Sequence, residues 1–388
     1  MNEAAPEAAP EPSRFPCESC GAALAYAPGA RHVACPFCGA ENEIDAQDAP
    51  WASPWAVARG EAKGALEEQD LAAALAGALD ASEMEETRTI HCDSCGADVE
   101  FDDKTHAGTC PFCASPIVTQ TAANRHIKPK GVLPFALTER DARKAMNDWL
   151  GRLWFAPSGL QDYARAGRPM QGLYVPYWTY DAQTETSYRG QRGDVYYVTQ
   201  RVPVTVNGKT QMQARQVPKV RWTPRSGRVA RFFDDVLVLA SRSLPKKHAD
   251  RLGPWDLSAL RPYQPAYLAG FRAEAYTVPL DEGWAEARRI MDQVIERDIR
   301  FDIGGDRQRI DAAETRLGRT SFKHVLLPVW LAAYKYRGET YRFIVNGRTG
   351  AVQGERPYSA WKIAVAVILG ALAAGAVGYA LQATGALR

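Results

Sequence analysis

The sequence lacks the short motifs that mark the commonest catalytic sites. It contains no HExxH, GxSxG or GxGxxG pattern, which excludes the familiar metalloprotease, hydrolase and dinucleotide-binding arrangements. A phosphate-binding loop requires Gly-x₄-Gly-Lys-Ser/Thr, and the nearest stretch, PVTVNGKT, has Pro203 where the first glycine belongs. We therefore expect no ATP-driven helicase activity, and the sequence assigns no catalytic residue.

The N-terminus lacks the apolar core of a secretory signal. Residues 1–14 read MNEAAPEAAPEPSR, which is acidic and rich in Pro and Ala, and we predict a disordered lead there. Without such a signal we expect the chain to fold in the reducing cytosol, where cysteines stay available as metal ligands.

No cysteine is left over from a repeated pattern. Two sets of paired CxxC motifs, each pair separated by fourteen residues, are related by an offset of 75, and their members are Cys17, Cys20, Cys35, Cys38 and Cys92, Cys95, Cys110, Cys113. A CxxC knuckle points two thiolates at one ion, and a hairpin returns the second knuckle to complete a tetrahedron. The spacing predicts two zinc ribbons, at 15–45 and 90–120, with two Zn²⁺ ions, whereas disulfides or a redox CxxC are the alternative. Four protein ligands leave no open position on the metal, so we expect structural sites.

The small net charge of +2 conceals a strong asymmetry. Residues 1–103 carry 5 Lys/Arg against 21 Asp/Glu, and the rest of the chain carries 42 against 24. The excess is concentrated in residues 186–251, with 14 Lys/Arg and 4 Asp. Such a stretch fits a surface for anionic lipid or nucleic acid, or simply a solvated sheet face.

Between the ribbons, residues 55–86 hold leucines near helical spacing, and we predict a helical linker. From about residue 130 the pattern changes to aromatic segments interrupted by proline. Here Pro176 and Trp178 recur as Pro328 and Trp330 at an offset of 152. The pattern predicts an α+β fold with two units, 130–270 and 271–358, each a helix packed on an antiparallel sheet.

Two Asn-Gly pairs predict hairpin turns within these units, at residues 207–208 and 346–347. The aromatic side chains of the strand-like segments are interpreted as core residues rather than as a binding platform; they are Tyr174, Tyr177, Trp178, Tyr180, Trp330, Tyr334 and Tyr336.

A run without charge extends from Ile363 to Leu387, long enough to cross a bilayer. We predict one C-terminal transmembrane helix at 361–383, which makes the protein tail-anchored, with a buried helix as the alternative. Four basic residues precede the run and only Arg388 follows it. This bias predicts a single-pass protein of the inner membrane with its N-terminal bulk in the cytoplasm.

Several segments carry a family resemblance: CPFC, GLYVPYWTYDAQTETSYRGQRGDVYY and HVLLPVWLAAYKYRGETYRFIVNGRTGAVQGERPYSAWKI. From Cys92 to Lys362 the chain resembles bacterial double-zinc-ribbon membrane proteins, often labelled primosomal protein N′ (replication factor Y) or superfamily II helicase. More distantly it resembles the zinc-ribbon membrane component of envelope-stress operons, which is thought to help recruit flotillin-like proteins. The resemblance implies that the eight cysteines bind zinc.

Three functions remain open from the sequence. The first is a non-enzymatic, membrane-anchored adaptor that binds a protein partner. The second is a replication-associated nucleic-acid-binding protein. The third is an enzyme with a site between the α+β units. Charge asymmetry and the anchor favour the adaptor, because the acidic ribbon half would be repelled by a phosphate backbone.

Overall fold

The computed structural model describes residues 17–43 without 23 and 31, 66–100, 107–118 without 113 and 114, 122–153, 170–355 without 207–208 and 337–338, and 359–383. The predicted lead at 1–14, the turn at 207–208 and the fourth ligand of the second ribbon, Cys113, lie outside these residues.

Sixteen strands and five α-helices are formed by the described residues. The strands are β1 (His32–Ala34), β2 (Glu41–Glu43), β3 (Gln69–Asp70), β4 (Met84–His91), β5 (Asp98–Glu100), β6 (Ala107–Thr109), β7 (Pro116–Val118), β8 (Ala122–Ile127), β9 (Gly131–Val132), β10 (Gln171–Val206), β11 (Lys209–Leu239), β12 (Arg261–Pro262), β13 (Arg272–Ala273), β14 (Arg307–Tyr336), β15 (Glu339–Asn346) and β16 (Val352–Gly354). The helices are α1 (Leu71–Leu75), α2 (Glu139–Gly151), α3 (Lys246–Ala249), α4 (Leu280–Ile303) and α5 (Ala360–Ala383).

One nine-stranded sheet organises the molecule. Its central run is β11-β10-β14-β15-β16, antiparallel throughout, and β3, β9, β12 and β13 pair at its margins. Strands of both predicted α+β units therefore share a single sheet, and the division at 270/271 does not separate two sheets. The predicted α+β class is confirmed.

Three strands of this sheet are unusually long. β10 has 36 residues, β11 has 31 and β14 has 30. At 3.3 Å per residue, β10 extends for about 120 Å. β14 accompanies β10 as far as the pair Gly193 and Arg307. Beyond it, β10 and β11 continue as a two-stranded ladder, residues 194–206 and 209–221, which we call the arm. Residues 171–182 of β10, together with the strands paired beside them, form the part of the sheet that we call the base.

The internal repeat is visible as an exchange of strands. The segments β9–α2–β10 and β13–α4–β14 correspond, but β9 lies parallel to β14 and β13 lies parallel to β10. The two tryptophans of the repeat also match. The Trp178 indole donates to the Val278 carbonyl and the Trp330 indole to the Leu137 carbonyl, both at 3.0 Å and each just before a helix. Because each unit supplies a strand to the other, the two fold together.

Helix α2 begins at a capping box in which Thr138 and Asp141 satisfy each other's backbone N–H groups. Helix α4 buries one stripe, formed by Leu280, Gly283, Ala287, Met291, Ile295, Ile299 and Ile303. Gly283 is required for close packing there, since a Cβ would meet the Tyr180 hydroxyl at 2.5 Å. The stripe fixes α4 along the sheet.

The base is buried on both faces. On one face, Tyr174, Trp178 and Tyr180 pack under α2, α4 and the first ribbon. On the other face, Leu173, Val175 and Tyr177 pack under the second ribbon and α3. The predicted core role of the aromatics is confirmed for Tyr174, Tyr177, Trp178, Tyr180 and Trp330. The side chains of Tyr334 and Tyr336 lie outside the described residues.

The linker between the ribbons differs from the predicted helix. In its described part, residues 66–86, only α1 is α-helical, followed by a 3-10 turn at Ala81–Glu83 and the start of β4. Helix α1 stops where Gly77 takes a positive φ of 71°. The preceding pair Gln69–Asp70 adds to the edge of β14 as strand β3. Tertiary pairing thus replaces the regular helix that leucine spacing predicted.

Candidate metal centres

The first ribbon gathers four thiols into one cluster. Cys17 and Cys38 have their Sγ atoms 3.6 Å apart, and Cys20 and Cys35 are 3.5 Å apart. All four ligand atoms lie within 4.8 Å of one another. A tetrahedron with Zn–S bonds of about 2.3 Å has S···S edges of about 3.8 Å, whereas a disulfide bond is about 2.05 Å long. The arrangement therefore fits a zinc ion.

The backbone shapes both knuckles of this ribbon. Gly21 and Gly39 take φ values of +70°, which glycine adopts at little cost. Their N–H groups donate to the carbonyls of Cys17 and Cys35 at 2.8 and 3.0 Å. Although burial alone raises the pKa of the Cys17 thiol, backbone N–H groups of the knuckle and neighbouring thiols lower it to about 6. The Ala22 backbone N–H lowers the pKa of Cys20, but hydrogen bonds with Cys38 and Cys35 raise it, so thiolate character in the metal-free cluster is concentrated on Cys17 and Cys35, whose pKa is also lowered.

The strands of this ribbon differ from the predicted hairpin. A turn does occur at Pro28–Gly29, but β1 pairs with β2 rather than with the stretch before that turn. Instead, the N–H of Tyr26 donates to the Ala269 carbonyl at 2.9 Å and that of Gly29 donates to the Phe135 carbonyl at 3.0 Å. The backbone before and at the turn is thus used to dock the ribbon on the base.

In the second ribbon, Cys92, Cys95 and Cys110 form a cluster, with 3.6 Å between the Sγ atoms of Cys95 and Cys110. Gly96 takes a φ of +73°, as its counterparts in the first ribbon do. The described thiols can bind zinc, and Cys113 is the fourth predicted ligand.

The second ribbon docks on the opposite face of the base. Val99 forms a β-bridge with Glu274, and the N–H of Ala275 donates to the Asp98 carbonyl at 3.1 Å. Glu274 is buried beneath this contact and accepts a hydrogen bond of 2.8 Å from the Ser241 hydroxyl. Burial raises the pKa of Glu274 to about 8, so this side chain is protonated at neutral pH.

A buried cluster of charges was not predicted from the sequence. The Lys323 ammonium, 1% exposed, lies 3.0 Å from Asp181, 2.9 Å from Asp235 and 3.6 Å from Glu68. A bulge in the β10–β11 ladder, with Asp235 at a φ of 52°, turns these carboxylates toward it. The sequence signal was a lysine inside the apolar run SFKHVLLPVW. The ammonium acts as an internal counter-ion for the carboxylates.

The basic stretch 186–251 is divided by the structure. Its first part forms the length of β10 and β11 that extends beyond the base and includes the arm. Several cations are exposed there: Arg215, Lys219, Arg221, Arg225 and Arg228. Its last part forms α3 and the following turn in the base. The predicted basic surface is therefore two separate surfaces.

Helix α5 is long and apolar enough to cross a membrane by length and composition. The segment Trp361–Tyr379 has none of its residues buried against the rest of the chain. The alternative of a buried helix is therefore disfavoured, since most of this apolar surface is left uncovered.

Fold and sites together define an α+β protein with N-terminal zinc-binding cysteine clusters and one apolar C-terminal helix. Residues 17–40 match the model of the LSD1 zinc finger family. Over 248 residues the chain is 25% identical to the uncharacterized protein YdjG of Bacillus subtilis (strain 168), covering 62% of this chain and 67% of that relative. No solved structure matches the chain. The zinc-finger match supports zinc binding, and none of these matches supports a primosomal or helicase label.

Proposed function

We propose that the protein is a membrane-anchored, non-enzymatic adaptor whose bulk lies in the cytosol and whose arm binds a protein partner. The observation that carries this proposal is the position of the anchor and the arm at opposite ends of the same strands. The chain leaves the sheet toward α5 after β16, whose end contacts Arg342, beside Ala333 of β14. β14 runs from there toward the arm, so the arm is held far from the point of anchoring.

The arm's surface suits a protein partner with acidic and apolar groups. One face of its ladder pairs Val195 with Val220 and Tyr197 with Pro218. Tyr197 is 65% exposed, and Trp222 at the root of the arm is 38% exposed. Aromatic side chains flanked by cations are favourable contact residues, since they bury large area at low conformational cost.

The zinc ions in this proposal are structural. Two Cys₄ sites would each fix a ribbon on one face of the base, so metal binding and the integrity of the base are linked. Metal analysis of the purified chain is expected to give about two zinc ions per chain, and a folded chain without metal would contradict this part of the proposal.

Site-specific photocrosslinking in cells tests the adaptor role. A crosslinker replacing Tyr197 is expected to capture one reproducible protein, whereas a crosslinker replacing Arg289, exposed on α4 in the base, is not. Capture at Tyr197 should be lost when Arg215 and Lys219 are changed to Glu. Equal capture at both positions, or none at Tyr197, would contradict the proposal.

Nucleic-acid binding is the second candidate, favoured by the basic, aromatic-bearing character of the arm. Such a hairpin offers cations for phosphates and rings for stacking. Anisotropy with duplex, single-stranded and forked DNA over a salt series tests it on the full chain in micelles. Tight binding that falls steeply with salt, and falls in the Arg215→Gln/Lys219→Gln variant, would favour this candidate over the adaptor.

A further inference from the structure

The surface around the exit of the chain toward α5 carries a second basic group, separate from the arm. Helix α3 packs beside β16, and the Gln353 side-chain amide donates to the Arg251 carbonyl at 3.4 Å. The N–H of Glu355 donates to the Arg342 carbonyl at 3.0 Å. Residues of α3 and its following turn are thereby fixed next to residues 353–355, at the end of the sheet that precedes α5 in the chain.

The distance from this surface to the start of α5 is limited by the chain. Four residues lie between Glu355 and Ala360, so that even a fully extended connection of five Cα–Cα steps spans about 17 Å. Trp361, the first residue of the apolar segment, is 76% exposed, which suits a position among headgroups. The surface around Glu355 therefore lies within about 17 Å of the start of α5 whenever α5 is inserted.

The cations of this surface are not all neutralised by neighbouring carboxylates. Lys246 pairs with Asp250 and Glu286, and Arg342 pairs with Glu355 at 3.5 Å. Lys247 and Arg251 are exposed and form no ion pair with any residue in the described part of the chain. These two positive charges are one helical turn apart in sequence and are available to an anion.

The half-buried imidazole of His248 lies in the electrostatic field of the same cations. Burial lowers the pKa of His248, and Lys247, Arg251 and Arg342 lower it further against the opposing charge of Glu355. The fields of the three cations therefore overlap at His248; the neighbouring carboxylates are Glu355, paired with Arg342, and Asp250 and Glu286, paired with Lys246.

We propose that Lys247 and Arg251, with Arg342 beside them, form a patch that binds the phosphate headgroups of anionic phospholipids where the chain enters the membrane. This inference rests on the membrane anchoring proposed above. The guanidinium of Arg251 can donate two hydrogen bonds to a phosphate diester, and the ammonium of Lys247 can donate to the same oxygens. Contact at this patch would fix the tilt of the sheet, and with it the position of the arm above the bilayer.

The test uses the full chain in neutral detergent micelles and a fluorescent phosphatidylglycerol followed by anisotropy. The Lys247→Gln/Arg251→Gln variant is expected to bind it about tenfold more weakly, since each cation near a headgroup layer contributes appreciably. The matched variant Arg215→Gln/Lys219→Gln removes the same charge from the exposed arm and is expected to bind as the unchanged protein does. Exchanging the two cations, Lys247→Arg/Arg251→Lys, should preserve binding, which separates loss of charge from misfolding.

Three results would overturn the patch. Equal weakening in both charge-removed variants would mean a diffuse attraction by net charge. Equal binding of fluorescent phosphatidylcholine would mean association through the apolar helix alone. Displacement by inorganic phosphate at matched concentration would mean a site for the free ion rather than for a lipid. Extraction of the unchanged protein by an alkaline wash of native membranes would instead contradict the anchor itself, independently of the patch.

Discussion

The base and the arm are built from the same two strands, β10 and β11, yet they are stabilised in different ways. In the base, residues 173–182 of β10 read LYVPYWTYDA and are buried on both faces, under ribbons and helices. In the arm, the described side chains of both strands are largely exposed, and the described chain provides the partner strand and, at the root, the Asp306 carboxylate that accepts from the Val195 N–H at 2.7 Å. The same ladder is thus a core in one place and a projecting surface in the other.

The order of the arm depends on the base. An isolated two-stranded hairpin is marginally stable in water. The arm continues a ladder whose first sixteen pairs, from Tyr177 with Leu239 to Gly193 with Trp222, are already fixed by the base and by β14. Cross-strand pairs such as Asp194 with Arg221 add small local contributions. The local free energy of unfolding should therefore be high in the base and decrease toward the tip of the arm.

The largest effect is expected from loss of a metal ligand. Cys35→Ser should lower the zinc content by about one ion per chain and release the first ribbon from the base, because binding of a structural zinc contributes on the order of 10 kcal/mol. Metal analysis and amide hydrogen exchange measure both consequences. Ser19→Ala, in the other knuckle of the same ribbon and not a ligand, is the control. Exchange in the arm should not change; a faster arm would mean that the ribbons stabilise the whole ladder.

The second largest effect is expected from removal of the buried counter-ion, Lys323. Lys323→Met leaves Asp181 and Asp235 without compensation and should lower the free energy of unfolding by about 3–5 kcal/mol. Lys219→Met, at an exposed site of the arm, should change it by less than about 0.5 kcal/mol. Urea titration of both variants makes the comparison. Adding Asp181→Asn to Lys323→Met should recover part of the loss, and a cost as small as that of Lys219→Met would refute the role of the cluster.

The free energy of unfolding should also depend on pH through a buried histidine of the base. His324 is buried, and its Nδ1 lies 2.8 Å from the Ile127 carbonyl, so Nδ1 carries the proton and Nε2 is unprotonated. Burial lowers the pKa of His324 to about 4 from an ordinary value near 6.5. Because the pKa of His324 is lower in the folded than in the unfolded chain, the neutral imidazole contributes fully to the free energy of unfolding above about pH 6.5. This contribution is lost as the pH falls toward 4.

The size of this effect can be measured against a variant. Because of His324, the free energy of unfolding should be about 2 kcal/mol lower at pH 5 than at pH 7.5. His324→Phe keeps an aromatic ring and should abolish that part of the pH dependence. Burial also raises the pKa of Asp181 to about 6, which acts in the opposite direction, but that contribution is present in both proteins. Identical pH profiles for the two proteins would exclude His324 as the cause.

Local signals in the sequence predicted several features because their chemistry is local. CxxC spacing, Asn-Gly pairs and an uncharged run each depend on residues near one another. The hairpin between β15 and β16 does turn after Asn346, whose side-chain oxygen accepts from the N–H groups of Arg348 and Thr349. The charge count of 186–251 also predicted a basic surface, though not its division between arm and base.

Features that depend on distant pairing could not be predicted in the same way. The exchange of β9 and β13 between the repeats requires knowing which strand edges are free. Strand β3 forms because Gln69 and Asp70 meet an open edge of β14, and that edge overrides the helical leucine spacing around them. The grouping of Lys323 with Asp181, Asp235 and Glu68 likewise joins four remote segments. Such contacts are products of the folded sheet rather than of sequence periodicity.

The smallest expected change in stability is at the arm's exposed aromatic. Tyr197→Ala should alter the free energy of unfolding by less than about 0.5 kcal/mol, because its side chain is 65% exposed. Trp178→Ala, on the same strand but fully buried in the base, should cost about 3–5 kcal/mol. Urea titration of the two variants therefore measures the gradient along one strand. If Tyr197→Ala proved as costly as Trp178→Ala, the arm would have to be covered in the native protein, either by another copy of the chain or by a segment folded back on it. A near-neutral Tyr197→Ala that nevertheless abolished capture of the partner would separate the arm's role in binding from the base's role in folding.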